Sequence, residues 1–184
     1  MCINDQLCND QWKFFEVSSS DKFLEQSGVI GFGPVNNTAP QTSFIKALYD
    51  AGKIPEMIAT FQLESADTGK TSTLTLGGFP ESLIVGDIFT LNAIDHDKLD
   101  NQWTVALNSV SIGTYSNPTQ DVAIIDTGTS FSILGYSDYI EFINIIANIG
   151  GRDANFDCGG RFCFSNTDTC EKFYDDMPTL SLSF

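Results

Sequence analysis

Apolar residues recur along this chain in short bursts, often at alternate positions, with polar and glycine-containing stretches between them. That period of two predicts β-strands. Met57 to Leu63 and Ser72 to Leu76 are one such pair; in the second, Thr73 and Thr75 alternate with Leu74 and Leu76. The polar stretch between them, Glu64 to Thr71, predicts a hairpin loop. Further strands are expected over Ile88 to Ala93, Trp103 to Leu107, Ser109 to Ile112 and Val122 to Ile125. Thr179 to Phe184 alternates strictly and predicts a half-buried strand, cut in mid-sheet, since natural ends are usually looser.

Two stretches follow a helical period instead. Phe44, Ile45 and Leu48 share one face of a helix expected from Thr42 to Ala51 and stopped by Gly52. Ile140, Ile143, Ile146 and Ala147 form the buried stripe of a second helix, which Gly150 and Gly151 end. Ser137 or Asp138 is its expected cap, and Asp138 with Glu141 has capping-box spacing. In Gly28 to Pro34 three glycines enclose apolar residues, which predicts a short buried strand entering a tight turn. A glycine-rich phosphate loop does not fit there: the spacing is wrong, and Pro34 stands where a helix start needs free N–H groups. The sum is a mainly β protein with a few short helices and no internal repeat.

Composition narrows the function classes. The 184 residues are 42% hydrophobic and include fifteen Phe, which calls for a buried core rather than a disordered chain. The net charge is −15 with no basic run, so no nucleic-acid partner is expected. The acidity serves solubility, or function at low pH, where carboxylates protonate. No apolar run reaches membrane-spanning length, so no membrane span is expected. The five cysteines, Cys2, Cys8, Cys158, Cys163 and Cys170, lack zinc-site spacing, and His96 is the single histidine. No metal and no cofactor are therefore expected. Disulfides fit better and point to a secretory compartment, as does the sequon Asn36-Asn37-Thr38. The odd count leaves one thiol over, and Cys170 is the candidate.

The strongest chemical signal is Val122-Ala123-Ile124-Ile125-Asp126-Thr127-Gly128-Thr129-Ser130. A buried apolar strand delivers a carboxylate into a small, hydroxyl-rich loop. Gly128 lets backbone approach a substrate closely, and the Thr and Ser hydroxyls can orient the carboxylate for acid–base work on water. Asp67-Thr68-Gly69 repeats the triplet in a different setting: polar residues precede it and Lys70 follows, so it is expected to be a plain hairpin turn. A Ser-His-Asp or Cys-His site would depend on His96, which lies in the polar run Asp95-His96-Asp97-Lys98 and lacks an orienting pocket.

Asp126-Thr127-Gly128-Thr129-Ser130 behind Ile124-Ile125 resembles the second active-site motif of pepsin-like aspartic proteases. Gly28 to Pro34, Phe44 to Met57, Leu76-Gly77-Gly78, Trp103-Thr104-Val105, Ser109 to Gly113, and Cys170 followed by Met177-Pro178-Thr179-Leu180 resemble that family's flanking segments in the same order. The resemblance runs from about residue 28 to 184, with an atypical insertion between Gly151 and Cys170 in which Cys158 and Cys163 are expected to pair.

The resemblance implies an incomplete pepsin-like acid protease fold of two β-barrel lobes. Residues 1–60 would end the N-terminal lobe, 61–80 would form interlobe strands, and 81–184 would form a truncated C-terminal catalytic lobe. Asp126 would be one of two catalytic aspartates, facing a groove between the lobes. Thr129 would hydrogen-bond its outer oxygen, Gly128 and Thr129 would bind substrate backbone, and Ile124 would line a side-chain pocket. Thr127 would brace the lobes through a buried hydroxyl, with Ser130 supporting. The implied activity is an aspartic-type endopeptidase that hydrolyses internal peptide bonds at acidic pH through an Asp dyad and an activated water. The implied partners are polypeptide substrates, the full-length form a monomer, and the location extracellular or lysosomal/vacuolar. The alternative is a non-catalytic pepsin-like binding or inhibitor protein. No second Asp-Thr-Gly or Asp-Ser-Gly behind an apolar strand occurs in this sequence, so residues 1–184 alone are expected to be inactive.

Overall fold

Strands here are short and helices fewer still, as the alternating pattern requires. The computed structural model describes residues 8, 28–34, 43–95, 99, 101–148, 156–159, 162–165 and 175–184. The chain forms two units, Met1–Thr90 with Asp95–Trp103, and Leu91–Ile94 with Thr104–Phe184.

In the first unit, α1 (Phe44–Asp50) starts at Ser43, whose side chain accepts a hydrogen bond from the Lys46 amide. Seven residues are too few for a helix to persist by propensity alone. Burial holds it: Phe44, Ile45 and Leu48, the three residues the helical spacing selects, form a core with Ile54, and Phe32, Ala59 and Leu76 pack against it. The Phe32 ring meets Phe44 and Phe61 edge-on, with centroids 6.2 and 5.6 Å away. Trp103 Nε1 donates to the Phe32 carbonyl at 2.7 Å. Cys8 is disulfide-bonded.

Strands β1 (Ala59–Gln62) and β2 (Thr73–Leu76) pair antiparallel, with Ala59 opposite Leu76. The loop between them contains a single 3-10 turn, Ala66–Thr68, and Gly69 in the left-handed region. Ser65 caps the turn, and the Thr68 hydroxyl donates back to the Ser65 carbonyl at 2.8 Å. The Asp67 triplet is thus a hairpin turn, as its polar setting predicts. Immediately after β2, Gly77 has φ +87° and donates its N–H to the Ile58 carbonyl at 2.7 Å. A Cβ there would stand 2.8 Å from the side chains of Ile54 and Pro55, so the core leaves room only for glycine.

Two expected strands do not form among the described residues. Residues 28–34 have no strand pairing, and Val29 is 78% exposed. Residues 88–93 run without a ladder and expose Ile88, Phe89 and Leu91. Apolar alternation makes a segment able to pair, but a strand needs a neighbour, and among the described residues these two segments have none.

The second unit is built on β3 (Thr104–Ile112), which pairs antiparallel with β4 (Tyr115–Ile124) on one side and β7 (Leu180–Ser183) on the other. The separate strands expected over Trp103 to Leu107 and Ser109 to Ile112 are one strand, with a bulge at Leu107–Ser109. β4 begins at Tyr115 rather than Val122, because ladder bonds to β3 extend across its polar half. Pro118 is tolerated beside the bulge, where regular pairing already breaks. Thr104, Val105, Val110 and Ile112 of the central strand are buried. β7 is more open than the alternation implies, with Leu182 43% exposed.

Helix α2 (Tyr136–Ala147) lies near β3 and buries Ile146. It ends at Asn148, and its N-cap is Gly135, with no side-chain cap bond. The two expected caps, Ser137 and Asp138, both lie inside the helix, with the Asp138 carboxylate engaged elsewhere. A short hairpin of β5 (Phe156–Gly159) and β6 (Phe162–Ser165) sets the backbone of Cys158 across from Cys163. Their side chains lie outside the described set, and with them the expected disulfide. So do the sequon at Asn36, His96, Gly150, Gly151 and Cys170.

Candidate active site

β4 ends at Ile124, and two residues later the chain turns, with the Thr129 amide donating to the Asp126 carbonyl at 3.3 Å. Within this turn the Asp126 side chain folds back onto its own loop. Oδ1 accepts the Gly128 amide at 2.8 Å, and Oδ2 accepts the Thr129 hydroxyl at 2.6 Å. Both bonds favour the ionised form. The Thr129 hydroxyl bond, then the Gly128 amide bond, hold the carboxyl below the usual aspartate range, against a smaller opposing effect of desolvation.

The glycine requirement at 128 has a local cause. A Cβ on that residue would come within 3.1 Å of Asp126 Oδ1, tighter than ordinary contact. The missing side chain therefore makes room first for the carboxylate itself.

The burial of the approach differs from expectation. Ile124 and Ile125 are 43% and 49% exposed, and Asp126 through Ser130 are exposed. Among the described residues of the second unit, only β3 pairs with this end of β4, so hydrogen bonds position the carboxylate where burial was expected to. Thr127 is exposed rather than buried. Phe131, Ile133 and Tyr136 also present open apolar surface near the loop.

A second polar cluster was not foreseen. Asp138 is buried, and its Oδ1 accepts both the Tyr115 hydroxyl at 3.0 Å and the Asn117 side-chain amide at 2.9 Å. Linear pattern gives no cue to bonds between residues more than twenty positions apart. Desolvation, then the bond and charge of Asp138, then the charge of Glu141, push the Tyr115 phenol above its ordinary value, so it remains a neutral donor. Among the described residues, no three His, Cys, Asp or Glu side chains are grouped to hold a metal ion.

The eukaryotic aspartyl protease family model matches residues 6–176. The chain belongs to that family. Relatives agree: a "Probable aspartic-type endopeptidase CTSD" of Arthroderma benhamiae is 28% identical over 66% of this chain and 24% of its own length. Its counterpart of the same name in Trichophyton verrucosum matches to the same extent. An "Aspartic protease" of Phaffia rhodozyma is 29% identical over 91% of this chain and 38% of its own length. The chain thus spans about a quarter to two fifths of the curated relatives it matches. Membership in this aspartyl protease family accords with the mainly β architecture. Among the described residues no helix is long and apolar enough to cross a membrane.

Proposed function

We propose that this chain supplies one half of the catalytic dyad of an aspartic-type endopeptidase, with Asp126 as the catalytic carboxylate. One observation carries the reading: both Asp126 oxygens are held, one by a backbone amide and one by a hydroxyl, in an exposed loop. The amide bond alone is that of an ordinary turn; the added hydroxyl from Thr129 holds the second oxygen as well. Each oxygen retains a free lone pair, so the carboxylate can still hold a water.

The chemistry follows from a pair of carboxylates sharing one proton, because like charges that close cannot both ionise. The bonds from Thr129 and Gly128 favour Asp126 as the ionised member. As base, Asp126 takes a proton from water while the water oxygen attacks the peptide carbonyl carbon. The second aspartic acid, from outside residues 1–184, gives its proton to the carbonyl oxygen. Collapse of the tetrahedral intermediate breaks the C–N bond: the amine leaves with the proton Asp126 took up, and one hydroxyl of the intermediate returns its proton to the second aspartate. The dyad titrates as a unit, with apparent values that belong to the pair.

Gly128 and Thr129 would contact substrate backbone, and Ile124 would receive a side chain beside the scissile bond. Its open apolar surface supports that role. Thr127 and Ser130 would support the loop once the second lobe is in place. Residues 1–60 would belong to the N-terminal lobe, 61–80 to interlobe strands and 81–184 to the catalytic C-terminal lobe. The full-length protein would act as a monomer in an extracellular or lysosomal/vacuolar compartment, where low pH keeps one aspartate of the dyad protonated.

The test is proteolysis of a denatured protein substrate at acidic pH by the full-length protein, wild type against Asp126→Asn. The variant is expected to lose activity by on the order of 10²–10⁴-fold. Retained activity would remove Asp126 from the mechanism. A wild type that binds polypeptides without cutting them would point instead to a non-catalytic binding protein.

A further inference from the structure

The Asp138 cluster joins two parts of the chain that lie on either side of Asp126. Tyr115 and Asn117 open β4, opposite Ile112 and Val110 of β3, both buried. From there β4 runs ten residues to Ile124 and delivers Asp126. The chain then returns to Gly135, where α2 begins, and Asp138 closes the circuit onto Tyr115 and Asn117.

The return path is anchored at both ends. A straight ten-residue strand spans about 30 Å, somewhat less across a bulge. Residues 125–135 reach at most about 40 Å when fully extended. The turn at Asp126–Thr129 consumes part of that reach. The segment therefore links the Asp126 turn directly to the clasped start of α2.

The start of α2 is tied to β4 by this cluster. Its N-cap is a glycine without a side-chain cap bond, and the Asp138 carboxylate, in the first turn, receives two donors from the β-hairpin instead. Negative charge is favourable there, near the positive end of the helix dipole. The titratable groups of the cluster are Asp138, Tyr115 and Glu141.

We infer that Asp138 is a positioning residue for Asp126: by clasping the first turn of α2 onto the start of β4, it fixes the far end of the segment that bears the carboxylate. Its relevance to catalysis rests on the reading of Asp126 given above. With the clasp open, residues 130–135 gain freedom, and the bonds from Thr129 and Gly128 to Asp126 loosen.

The test reads the Asp126 proton directly. The carboxyl carbon of Asp126 is titrated by 13C NMR in the 184-residue chain, its signal identified by its loss in Asp126→Asn. In Asp138→Ala the midpoint is expected to rise toward that of an ordinary aspartate. In Asp138→Asn, whose side-chain oxygen can still accept both donors, it is expected to stay low. The double variant Tyr115→Phe, Asn117→Ala keeps the carboxylate, removes both donors, and is expected to match Asp138→Ala; it decides the matter if Asp138→Ala does not fold. A lower melting temperature with an unchanged Asp126 midpoint would reduce Asp138 to a packing role and overturn the inference. Because no proteolysis is measured, that failure is distinct from failure of the catalytic assignment.

Discussion

Thr129 donates its hydroxyl to Oδ2 of Asp126 from three positions along the chain. At the other Asp-Thr-Gly triplet, the residue three positions after Asp67 is Lys70, which has no hydroxyl, and the turn closes through Ser65 and Thr68 instead. Two identical triplets therefore differ in what holds the aspartate: Asp126 is held by the Gly128 amide and the Thr129 hydroxyl, and the second of these needs the fourth residue.

Thr129→Val removes that bond and nearly preserves the shape. The Asp126 carboxyl is then expected to move up toward the ordinary aspartate value. Its folded value is lowered, so its contribution to stability is present above the unfolded value and lost as pH falls through the folded one. Raising the folded value narrows that window from the acid side. The base form is likewise lost at higher pH, so the acid limb of kcat/KM in the full-length protein should shift upward. A pH–rate profile checks this, and an unmoved acid limb would contradict it.

Gly128→Ala places a methyl group 3.1 Å from Asp126 Oδ1. The carboxylate or the loop must give by a few tenths of an ångström, disturbing the amide bond at 2.8 Å. The expected result is a fall in kcat of up to ~10²-fold with little change in melting temperature, measured on the full-length protein. An equal fall in both would indicate general loosening instead.

Asp67→Asn is the matched control. The Asp67 side chain sits in an exposed hairpin turn, held within its own loop. Peptidase activity should be unchanged, and stability should shift by no more than about 0.5 kcal/mol. Loss of activity comparable to that of Asp126→Asn would reverse the assignment of the two triplets.

Gly77→Ala strikes the first unit. The position combines a left-handed φ of +87° with core side chains 2.8 Å from the site of any Cβ. Backbone strain and overpacking together should cost about 3 kcal/mol. Urea unfolding followed by Trp103 fluorescence in a Trp12→Phe background reads this, since Trp103 is tied to Phe32 in the same unit. An unchanged midpoint would mean that the Ile54–Pro55 turn yields freely.

Much of the local structure was written in the order of residues. Phe44, Ile45 and Leu48 share a helix face because of their spacing alone, and they are the buried residues of α1. The β1–β2 hairpin follows from alternation on either side of a polar, glycine-bearing loop. Strand pairing at Ile88 to Ala93 was not decided there, because an edge that can pair still requires a partner in space. The reach of β4 through Asn117 and Pro118 was likewise hidden, since ladder bonds use backbone groups that side-chain polarity does not report.

At the catalytic candidate, sequence determined the chemistry: an aspartate, a glycine and a hydroxyl at fixed short spacing, whose mutual bonds form within one turn. Tertiary structure decided what surrounds it. The half-exposed Ile124 and Ile125, and the meeting of Asp138 with Tyr115 and Asn117, depend on how distant segments fold back on one another. Bonds across three residues are fixed by covalent geometry, whereas those across twenty exist only once a sheet and a helix have been brought together.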